Sequence, residues 1–594
     1  MMTSFTHYFN QINRKKQVIF WLLLSLIFTA IYAGIALQQA FSSEYVVQDD
    51  ARVYVFWMQR FSDPSLLPRD WIANYFQSVT PAGYAALYHL MSICRIPPLL
   101  FSKILPLILG LITTTYCFFV TLELLPVPVT AFLSSLLFNQ TLWLRDDLVS
   151  ATPRSFISPL LLAFLYYLLR GAWLPVCICI GLMGLFYPLG VFLCAGLLIG
   201  RLAIKAIITI KNSRQVSPRI LSVEEGIFPP FLRGYGGILT ALTIAFIVLL
   251  PYALNQSEYG PTITANEARN WPEFLPKGRI PFFDDSQPLK FWFQGQHSGI
   301  RLSLNPPIIS LAFLLPLLLR FRRRFPMVKK IRSNIRILAE LVFVSLGCFF
   351  LSHALLFKLY LPSRYTLHTL PMVMSIAGAI SLTIIFRTIF RWLQGKIEQQ
   401  NHKKKRLSLV CLSCGFLIFA SLVIFYPNLF WQKAFPKTGY VVGRLPTLYE
   451  FTKKQPKDTL IVSLANEVNN LPIFGRRSIL VGQEYANPYH IGYYTRLRQK
   501  YQDLIQAQYS LDLAEVKNFI TKNDVDFWLL DPLSFTAKET ENKFIQQYQP
   551  AATEALKTIE LGKVPALLKL QKDCAAWQKD GYVMLDAECI LQSS

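Results

Sequence analysis

Three pairs of adjacent aspartates stand out in this chain: Asp49–Asp50, Asp146–Asp147 and Asp284–Asp285. A carboxylate fixed at a polar–apolar border can take a proton from a hydroxyl, with its basicity set by burial and neighbouring charge. Two arginines complement the acids. Arg364 lies in Tyr360–Leu361–Pro362–Ser363–Arg364–Tyr365, and Arg154 lies in Thr152–Pro153–Arg154–Ser155. A guanidinium is a planar, permanently charged fork suited to phosphate. Against these readings, acids are common at membrane borders, Arg145 and Arg154 can simply pair with Asp146–Asp147, and Arg364 can be an interfacial arginine flanked by belt tyrosines. Asp284–Asp285, in a long polar loop, reads as solvated. His297, His353 and His368 lack metal-ligand spacing and read as structural.

The elements that must hold these residues are membrane helices. The chain has 594 residues, 53% of them hydrophobic. Apolar runs of about 18–24 residues, the length needed to cross hydrocarbon, recur from Val18 to Tyr426 and then stop. Spans are expected near 18–40, 100–122, 125–144, 155–169, 172–186, 188–204, 236–254, 304–319, 337–357, 366–386 and 407–426. The first is too long for a cleaved signal peptide and reads as a retained helix. The stretch 173–202 is divided in two at Phe186–Tyr187–Pro188.

The formal charge of +24 does not point to nucleic acid. The basic residues cluster in short connections, which is an orientation signal. Eleven crossings from a cytoplasmic N-terminus put Arg201–Arg233, Arg320–Arg336 and Arg387–Arg406 in the cytoplasm, with only scattered acids such as Glu224, Glu225 and Glu398. All three aspartate pairs then face the other side, as do the segments 41–99, 144–153 and 255–303. Ala51–Phe61 and Trp71–Leu90 can lie as interfacial helices. The remainder, 427–594, is expected to be a soluble extracytoplasmic α/β domain. Its strands are expected at Leu460–Val462, Ser478–Val481 and Phe527–Leu530, and its helices at Leu511–Thr521 and Lys538–Tyr548. Cys411 and Cys414 fall within an apolar span and read as packing. Cys574 and Cys589 are a candidate disulfide in an oxidising compartment.

In these features together the chain resembles the C-type glycosyltransferases, which use polyprenyl-phosphate sugars. Protein O-mannosyltransferases, aminoarabinose transferases and oligosaccharyltransferase catalytic subunits belong to that superfamily. The resemblance rests on Gln48–Asp49–Asp50–Ala51–Arg52 after the first helix, the long first outer loop, Arg145–Asp146–Asp147, Leu361–Pro362–Ser363–Arg364–Tyr365, and an outer C-terminal domain. It implies an all-α polytopic membrane domain over 1–426, an inverting transfer and Asp49 or Asp50 as the base. It also implies Arg364, with Tyr365 and Arg154, as the donor-phosphate contacts, with Arg52 a further site candidate. In some members the second-loop acids help hold a divalent cation, Mg²⁺ or Mn²⁺, which would make Asp146 and Asp147 ligands. The implied partners are a polyprenyl-phosphate sugar, the bilayer, and an extracytoplasmic glycan, lipid or protein acceptor. Segments such as Leu471–Pro472–Ile473–Phe474 look like those of bacterial, especially cyanobacterial, membrane proteins. Two other readings stay open: a transporter or flippase of lipid-linked or polar solutes, and a non-catalytic membrane partner or sensor. No inverted repeat or mid-span charge favours the first.

Overall fold

The computed structural model describes residues 2–213, 235–254, 257–399, 402–431 and 435–594. Glu224, Glu225 and most of the basic connection up to Arg233 lie outside these residues, as does Asn255. Each expected span is helical. The helices are Met2–Ala40, Pro98–Leu124, Pro128–Trp143, Ile157–Arg170, Trp173–Phe186, Leu189–Ser213, Gly236–Leu254, Pro307–Leu314 continuing into Leu315–Arg320, Arg336–Ala354, Ser363–Glu398 and His402–Ile424. Among the described residues, seven helices are long and apolar enough to cross a membrane. Others are shorter because the chain breaks them. Ile157–Arg170 ends at Gly171, whose φ of 67° is left-handed, and Trp173–Phe186 ends before Pro188. At a rise of ~1.5 Å per residue, a fourteen-residue helix falls short of the hydrocarbon thickness.

Helix Ser363–Glu398 is the central one, buried along most of its first half and packed on Pro128–Trp143 and Pro307–Leu314. Outer helices instead expose large apolar side chains such as Leu174, Phe246 and Phe343, as a lipid-facing surface requires. Intrahelical hydrogen bonding satisfies the backbone of such segments without water.

The segment after the first helix is helical but interrupted. Strand β1 (Val46–Gln48) runs into helix Asp49–Val55 and a 3₁₀ turn, Phe56–Phe61. The expected helix Trp71–Leu90 is two helices, Trp71–Val79 and Ala82–Ile93. Pro81 forces the break, because the residue before a proline is pushed out of the helical region. Asp70 caps the first of the two, accepting from Ala73 N at 2.9 Å.

The C-terminal part joins this segment directly. Strand β2 (Tyr440–Val442) pairs antiparallel with β1, Val47 opposite Val441. A five-stranded sheet follows, built from β3 (Leu460–Val462), β4 (Ser478–Ile479), β5 (Phe527–Leu530), β6 (Ala575–Lys579) and β7 (Tyr582–Asp586) in the order β4-β3-β5-β7-β6. β3, β4 and β5 are parallel, while β7 and β6 are added antiparallel. Helices Ile491–Tyr509 and Leu513–Asn523 connect β4 to β5. The expected helix Lys538–Tyr548 is only a turn at Ala537–Thr540 and a 3₁₀ turn at Ile545–Gln547. Asn542 accounts for the gap. Its side chain accepts from Phe544 N at 3.0 Å, closing a local turn that competes with helix. Cys574 and Cys589 are disulfide-bonded, with Cα atoms 5.5 Å apart, and tie the start of β6 to the helix after β7.

Candidate functional site

Asp49 and Asp50 open a helix whose start is over-determined. The Gln48 side chain accepts from Asp50 N at 2.9 Å and Ala51 N at 3.0 Å, filling the usual capping role. Asp49 N donates to the Gly439 carbonyl at 3.1 Å, so the C-terminal part holds the pair from behind. Gly439 has φ 63°, and a Cβ there would stand 3.2 Å from the Gln48 amide. A glycine is what lets the two segments close here.

The loop 144–153 brings the other acids to the same place. Arg154 Nη2 pairs with Asp50, lies 3.7 Å from Asp146, and through Nε lies 3.5 Å from Asp147. Arg145 bonds Asp147 at 3.2 Å and donates to the Leu367 carbonyl at 2.8 Å, locking the loop onto the central helix. Burial alone would raise the Asp147 carboxyl, but Arg145 and Arg154 outweigh it and hold the group well below the usual carboxylate range. Asp50 behaves oppositely. Its burial raises its pKa despite Arg154, with Asp146 and Asp49 adding to the rise. The Asp49 carboxyl is also raised, by burial first and then by Glu484, while Arg52 opposes at 2.6 Å.

Arg364 begins the central helix. That helix start is fixed by Ser363, whose N donates to His297 O at 3.1 Å and whose hydroxyl donates to Gln296 O at 3.0 Å. Among the described residues Arg364 makes no ion pair and no side-chain hydrogen bond. Arg301, the next cation along the wall, makes none either. Both line one polar cavity of about 440 Å³ together with Asp49, Asp50, Asp146 and Asp147. An apolar groove of about 690 Å³ opens beside it, walled by Tyr187–Pro188–Leu189, Phe246 and Leu250. Asp50, Tyr54, Arg154, Tyr360 and Arg364 border both spaces.

Arg52 and Tyr365 lie near the cavity without lining it. Arg52 is buried, bonded to Asp49 and to Asn470 at 2.7 Å, and 3.6 Å from Glu484. Tyr365 turns away, its hydroxyl donating to Leu359 O at 3.2 Å. Asp284 and Asp285 lie apart from the cavity, where Asp285 meets Arg269 at 3.3 Å. His353 packs among Phe291, Trp292 and Phe349, away from the site. His297 does line the cavity, and burial together with Arg364 pushes it down to about 3, so the ring is neutral. Sequence reasoning missed four charged groups of the cavity: Arg279, Arg301, Lys437 and Glu484. Arg279 and Glu484 pair at 2.7 Å across 205 positions of sequence. No local pattern signals such a pair.

Among the described residues, no group of three or more His, Cys, Asp or Glu side chains is arranged to hold a metal ion. The arginine contacts explain this. The Arg154 guanidinium stands among Asp50, Asp146 and Asp147, where a cation shared by those acids would sit. The donor set therefore does not fit a carboxylate-held Mg²⁺ or Mn²⁺.

No protein-family model and no curated protein matches the chain. Among solved structures it is similar to the Archaeoglobus fulgidus oligosaccharyltransferase tethered to an acceptor peptide containing the NVT sequon. That match has 13% identity and a TM-score of 0.48, covering 90% of this chain and 72% of the other. It is also similar to archaeal oligosaccharyltransferase AglB from the same organism in complex with an inhibitory peptide and a dolichol-phosphate, at 13% identity and TM-score 0.47, covering 91% and 72%. A crystal structure of the A. fulgidus enzyme with Zn and sulfate matches at 12% identity and TM-score 0.48, covering 89% and 70%. Likenesses this loose carry no weight for the chemistry of this chain, which rests on its own side chains.

Proposed function

We propose that this protein is a membrane glycosyltransferase that moves a sugar from a polyprenyl-phosphate donor to an acceptor on the extracytoplasmic side. One observation carries the reading. Carboxylates and an arginine with no ion pair among the described residues meet where a polar cavity joins an apolar groove. A donor with a hydrocarbon tail, a phosphate and a sugar needs those three environments in that order. The groove takes isoprenoid chain, Arg364 at the junction takes the phosphate with Arg301 close by, and the sugar enters the polar cavity.

Asp50 is the better-placed base because it borders both spaces, whereas Asp49 borders the polar cavity alone. In the reaction Asp50 accepts the proton of an acceptor hydroxyl. The hydroxyl oxygen forms a bond to the anomeric carbon as the bond from that carbon to the phosphate oxygen breaks. The lipid phosphate leaves with the electron pair, and Arg364 holds its new charge. A single displacement inverts the anomeric centre. Arg145 and Arg154 together offset Asp146 and Asp147, and Arg154 also fixes the orientation of Asp50.

The test is transfer from a polyprenyl-phosphate sugar in reconstituted membranes. Asp50→Asn is expected to lower kcat/KM by about 10²–10⁴, the usual contribution of a general base. Asp49→Asn is expected to lower it less. Full activity in both variants would end the proposal.

A further inference from the structure

The C-terminal sheet contains a second, separate cavity of about 320 Å³, bounded by the chain that follows β3 and the chain that follows β5. These strands are parallel neighbours, and β4 lies on the far side of β3. The connection leaving β3 therefore runs to one side, while the chain reaches β5 by crossing to the other. Crevices at such switch points, beyond the carboxyl ends of parallel strands, are where open α/β sheets bind ligands.

The lining has the character of a binding site. Glu539 lines the cavity, and its carboxyl makes no hydrogen bond or ion pair among the described residues, which leaves both oxygens available to a ligand. Burial, with Asp531 adding to it, pushes this group up to about 7. Tyr501 and Phe544 supply apolar ring surface. Asn466 and Gln483 stand at the rim with their side-chain amides unused, and the Asn542 amide nitrogen is free because only its oxygen is bonded, to Phe544 N.

We infer that this cavity binds a neutral, polyhydroxylated group of about the size of one sugar ring. A sugar presents C–H faces to aromatic rings and a rim of hydroxyls, each able to donate to a carboxyl or accept from an amide. The site is not built for phosphate. Its charged lining is Asp531, Glu539 and a single lysine, Lys538, and the turn after β3, Ser463–Leu464–Ala465–Asn466, has none of the glycines that let backbone wrap a phosphate. One step along the backbone links its lining to that of the polar cavity. The Gln483 carbonyl accepts from Arg279 at 3.1 Å, and the next residue, Glu484, pairs with the same arginine at 2.7 Å inside the polar cavity.

The site stands independently of the transfer reading, and its test reads binding alone. The full chain in lipid nanodiscs is titrated with the methyl glycosides of glucose, galactose, mannose and N-acetylglucosamine, and separately with inorganic phosphate, by calorimetry and saturation-transfer NMR. Saturable binding of at least one glycoside is expected. Asn466→Ala, an exposed rim change with no folding role, should weaken it about tenfold, the scale of one or two lost hydrogen bonds. Glu539→Leu should weaken it at least as much. Asp49→Asn should leave it unchanged. Absence of glycoside binding, binding that survives both cavity variants, or binding lost in Asp49→Asn would overturn the inference. Phosphate binding that is lost in Asn466→Ala or Glu539→Leu, with no glycoside bound, would overturn the ligand class.

Discussion

At the scale of single residues, the two aspartates differ in what tunes them, and this makes the base identifiable. Both carboxyls are raised by burial, but Glu484 adds to the rise at Asp49, whereas Asp146 and Asp49 add to it at Asp50. A base must be ionised, so activity falls as pH drops through its folded-state pKa. A raised pKa moves that acid limb upward. With Asp50 as base, Asp146→Asn removes a neighbouring negative charge, lowers the Asp50 pKa and moves the acid limb of kcat/KM to lower pH. Glu484→Gln leaves the limb in place. The reverse result in the two pH profiles identifies Asp49. Arg364 is probed by its own substitutions. Arg364→Ala is expected to cut kcat by about 10²–10³, as loss of a transition-state charge contact does, with a smaller change in KM. Arg364→Lys should recover only part, because an ammonium cannot present two parallel donors.

At the scale of elements, the site is a meeting of helix ends braced by a two-stranded ribbon. Helix Met2–Ala40 delivers Asp49 and Asp50, Pro128–Trp143 delivers Asp146 and Asp147, and Ser363–Glu398 begins with Arg364. The β1–β2 pair sets the height of Asp49 and Asp50 relative to the rest. Val441→Pro, opposite Val47, removes a backbone donor from the ribbon. It should lower kcat/KM by about 10²-fold through misplacement of the aspartates. The protease resistance of the C-terminal sheet, read on the same sample, should be unchanged. Equal loss of both would make the ribbon a folding element and not a positioning one.

At the scale of the whole molecule, the polar cavity needs both parts of the chain. Lys437 N donates to Trp143 O at 2.8 Å, Thr438 bonds Gln39 at 2.6 Å, and Asn470 bonds Arg52 at 2.7 Å. The C-terminal part is therefore the roof of the site. The basic connection around Lys329 and Lys330 lies at the opposite end, where Arg332 N donates to the Leu124 carbonyl at 2.9 Å. This arrangement sets a sidedness test. A membrane-impermeant amine reagent applied to intact cells should modify exposed Lys454 in the roof and spare exposed Lys329 and Lys330. Labelling of the second pair instead would reverse the orientation and remove a lipid-linked donor from outside as the substrate.

Composition and periodicity determined where the helices run, because an apolar stretch in lipid has few alternatives to intrahelical hydrogen bonding. They also marked Asp49, Asp50, Asp146, Asp147, Arg154 and Arg364 as residues at the ends of those stretches. The hairpin β6–β7 was passed over, although its turn is written as Asp580–Gly581, with φ values of 52° and 79°. Its first strand, Ala575–Lys579, has too little apolar alternation to announce itself. Only the tertiary structure decided that Asp50 joins Asp146 and Asp147 at Arg154, that Arg364 makes no ion pair among the described residues, and that Glu484 and Arg279 complete the wall. Those facts depend on contacts such as Arg154–Asp50, 104 positions apart, and Arg279–Glu484, 205 apart, where side-chain reach and burial, not local preference, select the partners.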